Sequence, residues 1–329
     1  MKPLILFVLM TCMPLLASAS VVERDDVRGF IDGMVERHGF ERAELEALFA
    51  TVTIQDEIIE LMTRPAERRP WHQYRPIFLT DARIQAGVEF WEANAETLAR
   101  AEAVYGVPAK VIVAIIGVET FYGRHTGRHR VVDALTTLGF DYPPRADFFR
   151  RELEQFLIMA REEGLDPHTR TGSYAGAMGV PQFISSSWRH YAVDFSGNGR
   201  RDLIDDIEDA IGSVANYLAE HRWEPEAPIA VKASVSGDGH ERVRAAGLRP
   251  HMTAAQMAEY GVHPRHDDGH TGPGALIALE QADHMEYWIG WQNFYAITRY
   301  NHSPLYAMAV YQLAREIEAK RLAQRAARG

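Results

Sequence analysis

Apolar residues recur at helical spacing through most of the chain. After Asp25-Asp26, the positions Val27, Phe30, Ile31, Met34 and Val35 fall three or four apart, predicting a helix that Gly39 stops. Glu41 to Ala50 and Ile54 to Met62 predict two shorter helices. Pro65, Pro70 and Pro76 then predict an extended crossing segment that contains Trp71 and Tyr74. Asp81 can cap a helix carrying Ile84, Val88, Phe90, Trp91 and Leu98. From Val111 to Val118 every side chain is apolar or absent. The β-branched content would suit a buried strand, but the stretch from Pro108 to Tyr122 is too long for one, and Gly123 is a suitable stop. A buried helix is predicted there, ending near Glu119.

Further on, Ala146 to Glu163 and Ile207 to Ala219 show helical spacing. Pro225 and Pro228 open a different texture. Residues 226–285 mix short alternating stretches, such as Ile229 to Val235 and Ala275 to Leu279, with Gly and Pro clusters. This predicts a small β-containing lobe. Helical spacing returns from Trp291 to the end, with Tyr306, Ala309, Val310 and Leu313 on one face, and only the basic tail is expected to fray. The organisation expected is a leader at 1–19, an N-terminal helical region at 20–103, a core at 104–225, the β lobe at 226–285 and a C-terminal helical segment at 286–329.

The leader rests on Lys2, the apolar stretch Leu4 to Met10, Leu15-Leu16, and the small residues Ala17-Ser18-Ala19. That pattern predicts export with cleavage after Ala19 and a periplasmic protein; the run is interrupted by Pro14 and too short to suggest a retained span. Cys12, the only cysteine, follows Thr11, which argues against lipidation. A mature chain would then hold no cysteine, so neither a disulfide nor a thiol nucleophile would be available. The formal charge of −10 becomes −11 without Lys2, with 34 basic residues against 45 acidic. Nonspecific nucleic-acid binding is excluded on that balance, and no Lys-rich amphipathic face suggests a membrane surface.

Four segments carry candidate chemistry. Glu119 closes the long apolar run with no cation within four residues, so burial should raise its pKa and suit it to general-acid work. The segment Gly172 to Gly179, followed by Pro181-Gln182-Phe183, lets a ligand or another backbone approach closely, with Ser173 and Gln182 as hydrogen-bonding groups. Tyr300, Asn301 and Tyr306 place aromatic rings beside an amide, a combination suited to pyranose faces and acetamido groups. Finally, Asp194, Ser196 and Asn198 alternate ahead of Gly199, with the Arg200 carbonyl next, as in a calcium loop; position twelve is Asp205 in place of the usual Glu. An Asx-rich turn without an ion is the alternative. His263, His266 and His270 lie with Asp267 and Asp268 in a Gly- and Pro-rich stretch that reads as a surface turn. The chain has no H-E-x-x-H, nucleophile elbow, phosphate loop or dinucleotide fingerprint.

In order along the chain, VYGVPAKVIVAIIGVETFYGRHTG, ALTTLGFDYPPRADFF, GSYAGAMGVPQF, YAVDFSGNGRRDL, DAIGSVANYL and NFYAITRYNHSPLYAMAVYQL resemble the lytic murein transglycosylase B family, from about Tyr74 to Leu313. The resemblance implies a mainly α protein: a lysozyme-like catalytic core with an N-terminal helical region and a small β lobe. It implies cleavage of the β-1,4 bond between N-acetylmuramic acid and N-acetylglucosamine in peptidoglycan glycan strands, with a 1,6-anhydro product and no cofactor in the chemistry. Carried over by position, Glu119 matches the acid/base. Ser173, Gln182 and Asn301 match polar cleft residues, and Tyr74, Arg145, Tyr300 and Tyr306 match aromatic or basic subsite positions. Asp194, Ser196, Asn198, the Arg200 carbonyl and Asp209 match a structural Ca²⁺ loop. Two departures stand out: Ser185-Ser186-Ser187 where the family often has a proline, and Asn198 where many members have Asp. A muramidase cutting the same bond with water, or a noncatalytic peptidoglycan-binding protein, are the alternatives. The second carboxylate that a hydrolase would use has only Asp133 and Asp141 as candidates.

Overall fold

The computed structural model describes residues 20–63 and 69–327, so the leader lies outside the described residues. The chain divides into two compact units at Ile54. In the first, α1 (Asp25–His38) and α2 (Arg42–Ala50) bury Val27, Ile31, Met34, Leu45, Leu48 and Phe49. Phe30 and Phe49 meet edge-on at 5.9 Å, a favoured aromatic geometry.

The second unit begins with α3 (Asp56–Thr63) and α4 (Trp71–Phe78). The expected extended segment is therefore helical in part. Pro76 lies inside α4 and removes one helical N–H, yet Trp71 and Tyr74, three apart on one face, are 0% and 2% exposed. Burying two large rings stabilises the turn by about 2 kcal/mol each, enough to outweigh the proline. The next predicted helix is two, α5 (Asp81–Ala93) and α6 (Ala95–Tyr105), broken at Asn94. The cap of α5 is Thr80, whose hydroxyl accepts from Arg83 N at 3.2 Å, and Asp81 is its first residue.

Helix α7 (Ala109–Thr120) is the predicted buried helix, with Pro108 before it. Ten of its twelve residues are buried, which explains why no amphipathic stripe is visible in its sequence. It packs against α5, α6, α11 and α15, so it is the central rod of this unit. Its stop is not Gly123. Phe121 caps it in the left-handed region at φ 52°, and Tyr122 follows at φ 61°. Two consecutive non-glycine residues there cost energy that packing must offset.

Strand β1 (His129–Arg130) leads into α8 (Val131–Asp141), then α9 (Ala146–Glu163), which packs on α8. Strand β2 (Thr171–Gly172) pairs antiparallel with β1. Helices α10 (Ser185–Tyr191) and α11 (Ile207–Glu220) complete this part. The small lobe is an antiparallel sheet of β3 (Ala230–Val235), β4 (Val262–Pro264), β5 (Ala275–Glu280) and β6 (Met285–Gly290), in the order β4-β3-β6-β5. Two short helices, α12 (His240–Ala245) and α13 (Ala254–Ala258), contribute Val243 and Met257 to a core with Val231, Leu276, Ile289 and Trp291. The His/Asp loop anchors this lobe: Asp268 accepts from Trp291 Nε1 at 2.8 Å, and His270 packs on the same indole.

The C-terminal helical segment is broken at residues 301–303 into α14 (Gln292–Tyr300) and α15 (Pro304–Ala326). Ser303 caps α15 from its side chain. Asn293, fully buried, accepts from Glu224 N and donates to the carbonyls of Glu224 and Ala227 at 2.7–2.9 Å. That stitch joins the entry and exit of the β lobe. No single helix among the described residues is long and apolar enough to cross a membrane.

Candidate active site

Glu119 sits in the last turn of α7, half-buried, one residue before the left-handed cap. One side-chain hydrogen bond reaches its carboxylate: the hydroxyl of Tyr306, on α15, donates to Oε1 at 2.5 Å. Burial pushes the Glu119 carboxyl up to about 7, and the tyrosine hydrogen bond moderates the rise. A glutamic acid of that kind keeps its proton near neutrality and can give it away. Tyr306 is itself 3% exposed, and burial beside the carboxylate holds its phenol well above the ordinary range. It therefore stays a hydrogen-bond donor.

Tyr300, at the end of α14, stacks parallel to Tyr306 with ring centres 6.4 Å apart, and its hydroxyl donates to Pro181 O at 2.5 Å. Tyr300 also lines a cavity of about 900 Å³. Gln182, Asn301 and Arg145 lie on the same wall, with Phe148, Arg299 and His302. Three arginines and three histidines line the cavity and no carboxylate does, in a chain of net charge −10. One arginine, Arg189, is paired with Glu162 at 2.7 Å. Arg145 lies over the Phe148 ring at 4.3 Å, which fixes its guanidinium at the rim.

The remaining expected residues occupy other positions. Ser173 Oγ accepts from Ala175 N and Ala177 N at 3.3 and 3.0 Å, so it shapes the turn beside the cavity while its own proton remains available. Gln182 stands at φ 52°, and its amide nitrogen donates to the carbonyls of Thr126 and Gly179, both at 3.0 Å. Its amide oxygen is the group left to meet a ligand. Tyr74 is buried against Trp71 and Phe78, close enough to Tyr306 to influence its ionisation. Tyr74 and Tyr306 thus offer no ring face to a sugar; the Tyr306 hydroxyl is the group that reaches Glu119. Asp133 is held by Arg130 at 2.5 Å and by Gln55, and neither Asp133 nor Asp141 lines the cavity.

The small residues of 172–179 serve backbone approach. A Cβ on Gly127, at φ 100°, would lie 2.0 Å from the carbonyl of Gly172, and one on Gly172 would lie 2.3 Å from Ala177 O. The β1–β2 pairing brings these chains together and sets the Ser173 turn.

Sequence reading missed Tyr217 and Thr120. Tyr217 donates to Arg299 O at 2.5 Å and packs against Tyr300 at 4.8 Å. A phenol on the apolar face of α11 was the available signal, because a buried hydroxyl needs an acceptor. Thr120 is fully buried; its hydroxyl lies 2.9 Å from Val180 O, which accepts from it, and 2.9 Å from Gly123 N, which donates to it.

In the 194–209 loop, Asp194 accepts from the amides of Gly197, Asn198 and Gly199, curling the chain around its carboxylate. Asn198 donates to Asp206, which caps α11. Ser196 Oγ is buried and has no hydrogen-bond partner, a vacancy that suits a cation. Asp209, fully buried, accepts from the amides of Phe195, Ser196 and Asp202. It holds the loop together from beneath. No three acidic or imidazole groups among the described residues converge as a metal set, so the oxygen donors that fit a hard cation are Asp194, the Ser196 hydroxyl, Asn198 and the Arg200 carbonyl.

Comparison with known proteins gives a consistent result. A family model, the transglycosylase SLT domain, matches residues 23–315. The chain is 44% identical over 303 residues to the membrane-bound lytic murein transglycosylase B of Escherichia coli K12, covering 89% of this chain and 82% of that protein. The crystal structure of soluble lytic transglycosylase SltB1 from Pseudomonas aeruginosa superposes with a TM-score of 0.84 at 50% identity, over 90% of this chain and 99% of that one. The Escherichia coli lytic transglycosylase Slt35, solved in complex with calcium, superposes with a TM-score of 0.83 at 42% identity, over 91% and 95%.

Proposed function

Because the chain belongs to the SLT-domain transglycosylase family and is a lytic transglycosylase of peptidoglycan, we propose that it works with Glu119 as its single acid/base. The bond cleaved is the β-1,4 link between N-acetylmuramic acid and N-acetylglucosamine, and the product carries a 1,6-anhydro muramic end. One observation carries this reading: a half-buried glutamate with its pKa raised to about 7, joined through Tyr306 and Tyr300 to a cavity that no carboxylate lines.

Glu119 protonates the glycosidic oxygen, and the bond to C1 breaks. The muramic N-acetyl group supports the developing cation, with the free proton of Ser173 directed at that group. Glu119, now a carboxylate, takes the proton of the sugar's own C6 hydroxyl as that oxygen bonds to C1. The glutamic acid is restored and no water is consumed. An attacking hydroxyl on the same sugar gains strongly from proximity. The arginines of the cavity suit a polymer that bears carboxylates.

The test is mass spectrometry of fragments released from purified sacculi. Anhydro ends, lighter by one water than a hydrolase would leave, are expected, and Glu119→Gln should release almost none. Hydrated ends would assign a muramidase instead. Unchanged release by Glu119→Gln would remove Glu119 from the chemistry.

We also infer a structural Ca²⁺ held by Asp194, Ser196, Asn198 and the Arg200 carbonyl. Its support is the curled loop and the unpartnered Ser196 hydroxyl. A chelator should lower the melting temperature, and added Ca²⁺ should restore it. The leader pattern supports export to the periplasm, which N-terminal sequencing of the protein recovered from the cell envelope checks through a start at Ser20.

A further inference from the structure

Glu119 is tied to the loop of residues 179–182 by two routes. The first leaves from its side chain: Tyr306 donates to Glu119, Tyr300 stacks on Tyr306, and the Tyr300 hydroxyl donates to Pro181 O. The second leaves from the helix backbone one residue later, where Thr120 Oγ1 donates to Val180 O at 2.9 Å. The Ile116 carbonyl is the competing acceptor, at 3.3 Å, so the hydroxyl proton belongs to Val180. Thr120 Oγ1 also accepts from Gly123 N, which pins the turn made by Phe121 and Tyr122 in the left-handed region. The loop it grips carries Gln182, also at positive φ, on the cavity wall. Val180 N in turn donates to Leu203 O at 2.8 Å, which backs the loop from its far side.

Hence the two routes form a closed circuit through Glu119, Thr120, Val180, Pro181, Tyr300 and Tyr306. We propose that Thr120 is a positioning residue of the reaction: its hydroxyl closes this circuit, so that the carboxyl of Glu119 and the side chain of Gln182 keep one fixed separation through both proton transfers. A residue that only filled core space would need its methyl group. Here the hydroxyl makes both contacts, in a site that is fully buried, and the side chain sits next to the acid.

The proposal rests on the lytic reading above, and three variants test it in the purified enzyme acting on sacculi. Thr120→Val keeps the shape and removes the hydroxyl. It should lower kcat about 10- to 100-fold with KM little changed, because a misplacement of about 1 Å is enough for that loss. The alkaline limb of the pH profile should move to lower pH as water reaches the carboxyl. Thr120→Ser keeps the hydroxyl and should return kcat to within about threefold and restore the limb, since it removes only packing. If Thr120→Val folds too poorly to assay, Thr120→Ala, which also lacks the hydroxyl and adds no bulk, is read by the same two criteria. A hydroxyl-free variant that melts lower while keeping the parent's kcat and pH limb overturns the proposal, as does a serine variant no better than valine. Absence of anhydro products from the parent enzyme would instead overturn the lytic reading, so the two failures are distinguishable.

Discussion

Two carboxylates, one fully buried and one half-buried, solve the same problem in opposite ways. Asp209 is 0% exposed and accepts three backbone N–H groups. Glu119 is set in the apolar end of α7 and has one partner, the Tyr306 hydroxyl. The first is a fully partnered acceptor that organises a loop. The second is short of donors, and burial answers the shortage by raising its pKa to about 7. The lesson is that donor count, not depth, separates a structural carboxylate from a working one. It explains why an all-apolar helix ends in a glutamate: the hydrophobic rod supplies the desolvation that the acid uses.

The comparison can be broken most severely at the acid. Glu119→Gln should reduce solubilisation of sacculi at least about 1000-fold, measured as released muropeptide, because the proton donor is gone. Asp209→Ala should leave the acid intact but destabilise the fold by about 3 kcal/mol, read by urea unfolding, since three amides lose their acceptor. Glu119→Gln should do the reverse to stability. Below about pH 4.5 the glutamate is protonated in both the folded and unfolded chain, so the variant should gain nothing there. Between about pH 4.5 and 7 the unfolded chain has released its proton while the folded chain still holds it, so the parent loses stability across that window. At pH 8 the glutamine variant should therefore be more stable by about 3 kcal/mol in the same unfolding assay. The smallest effect is expected for Tyr306→Phe. Removing a donor that favours the carboxylate should move the alkaline limb of activity upward by less than about one pH unit. A downward shift would mean that Tyr306 excludes water more than it holds the anion.

Much of this contrast was legible in the chain itself. The helix spacing of 25–38, the uninterrupted apolar run before Glu119 and the alternation of 230–235 each follow from local physics, and each forms as expected. What could not be read depended on distant partners. Pro65, Pro70 and Pro76 predicted an extended segment, but the pull of Trp71 and Tyr74 into the core made its described part, from Trp71, a helix. Gly123 was the obvious stop for α7, yet packing places Phe121 in the left-handed region first. Strand β6 was hidden because Met285 to Gly290 has no clean alternation, its register being set by β3 and β5 on either side. In the site, the residues beside Glu119 in sequence told of its burial. Only the fold could show that Tyr306 meets it, that Tyr217 supports Tyr300, or that Gln182 spends its amide nitrogen on two loops.

The docking of α15 also has a consequence in time. Glu119 and Tyr306 are separated by 187 residues, and the helix that carries Tyr306 is the last described element. Closing so long a loop comes after the local helices have formed. A ribosome that has made the acid must still add the whole β lobe and α15 before the acid is finished. A half-made chain, or one cut before residue 304, carries the glutamate without its partner. The surroundings of the acid are thus completed only when two distant parts of the described chain meet.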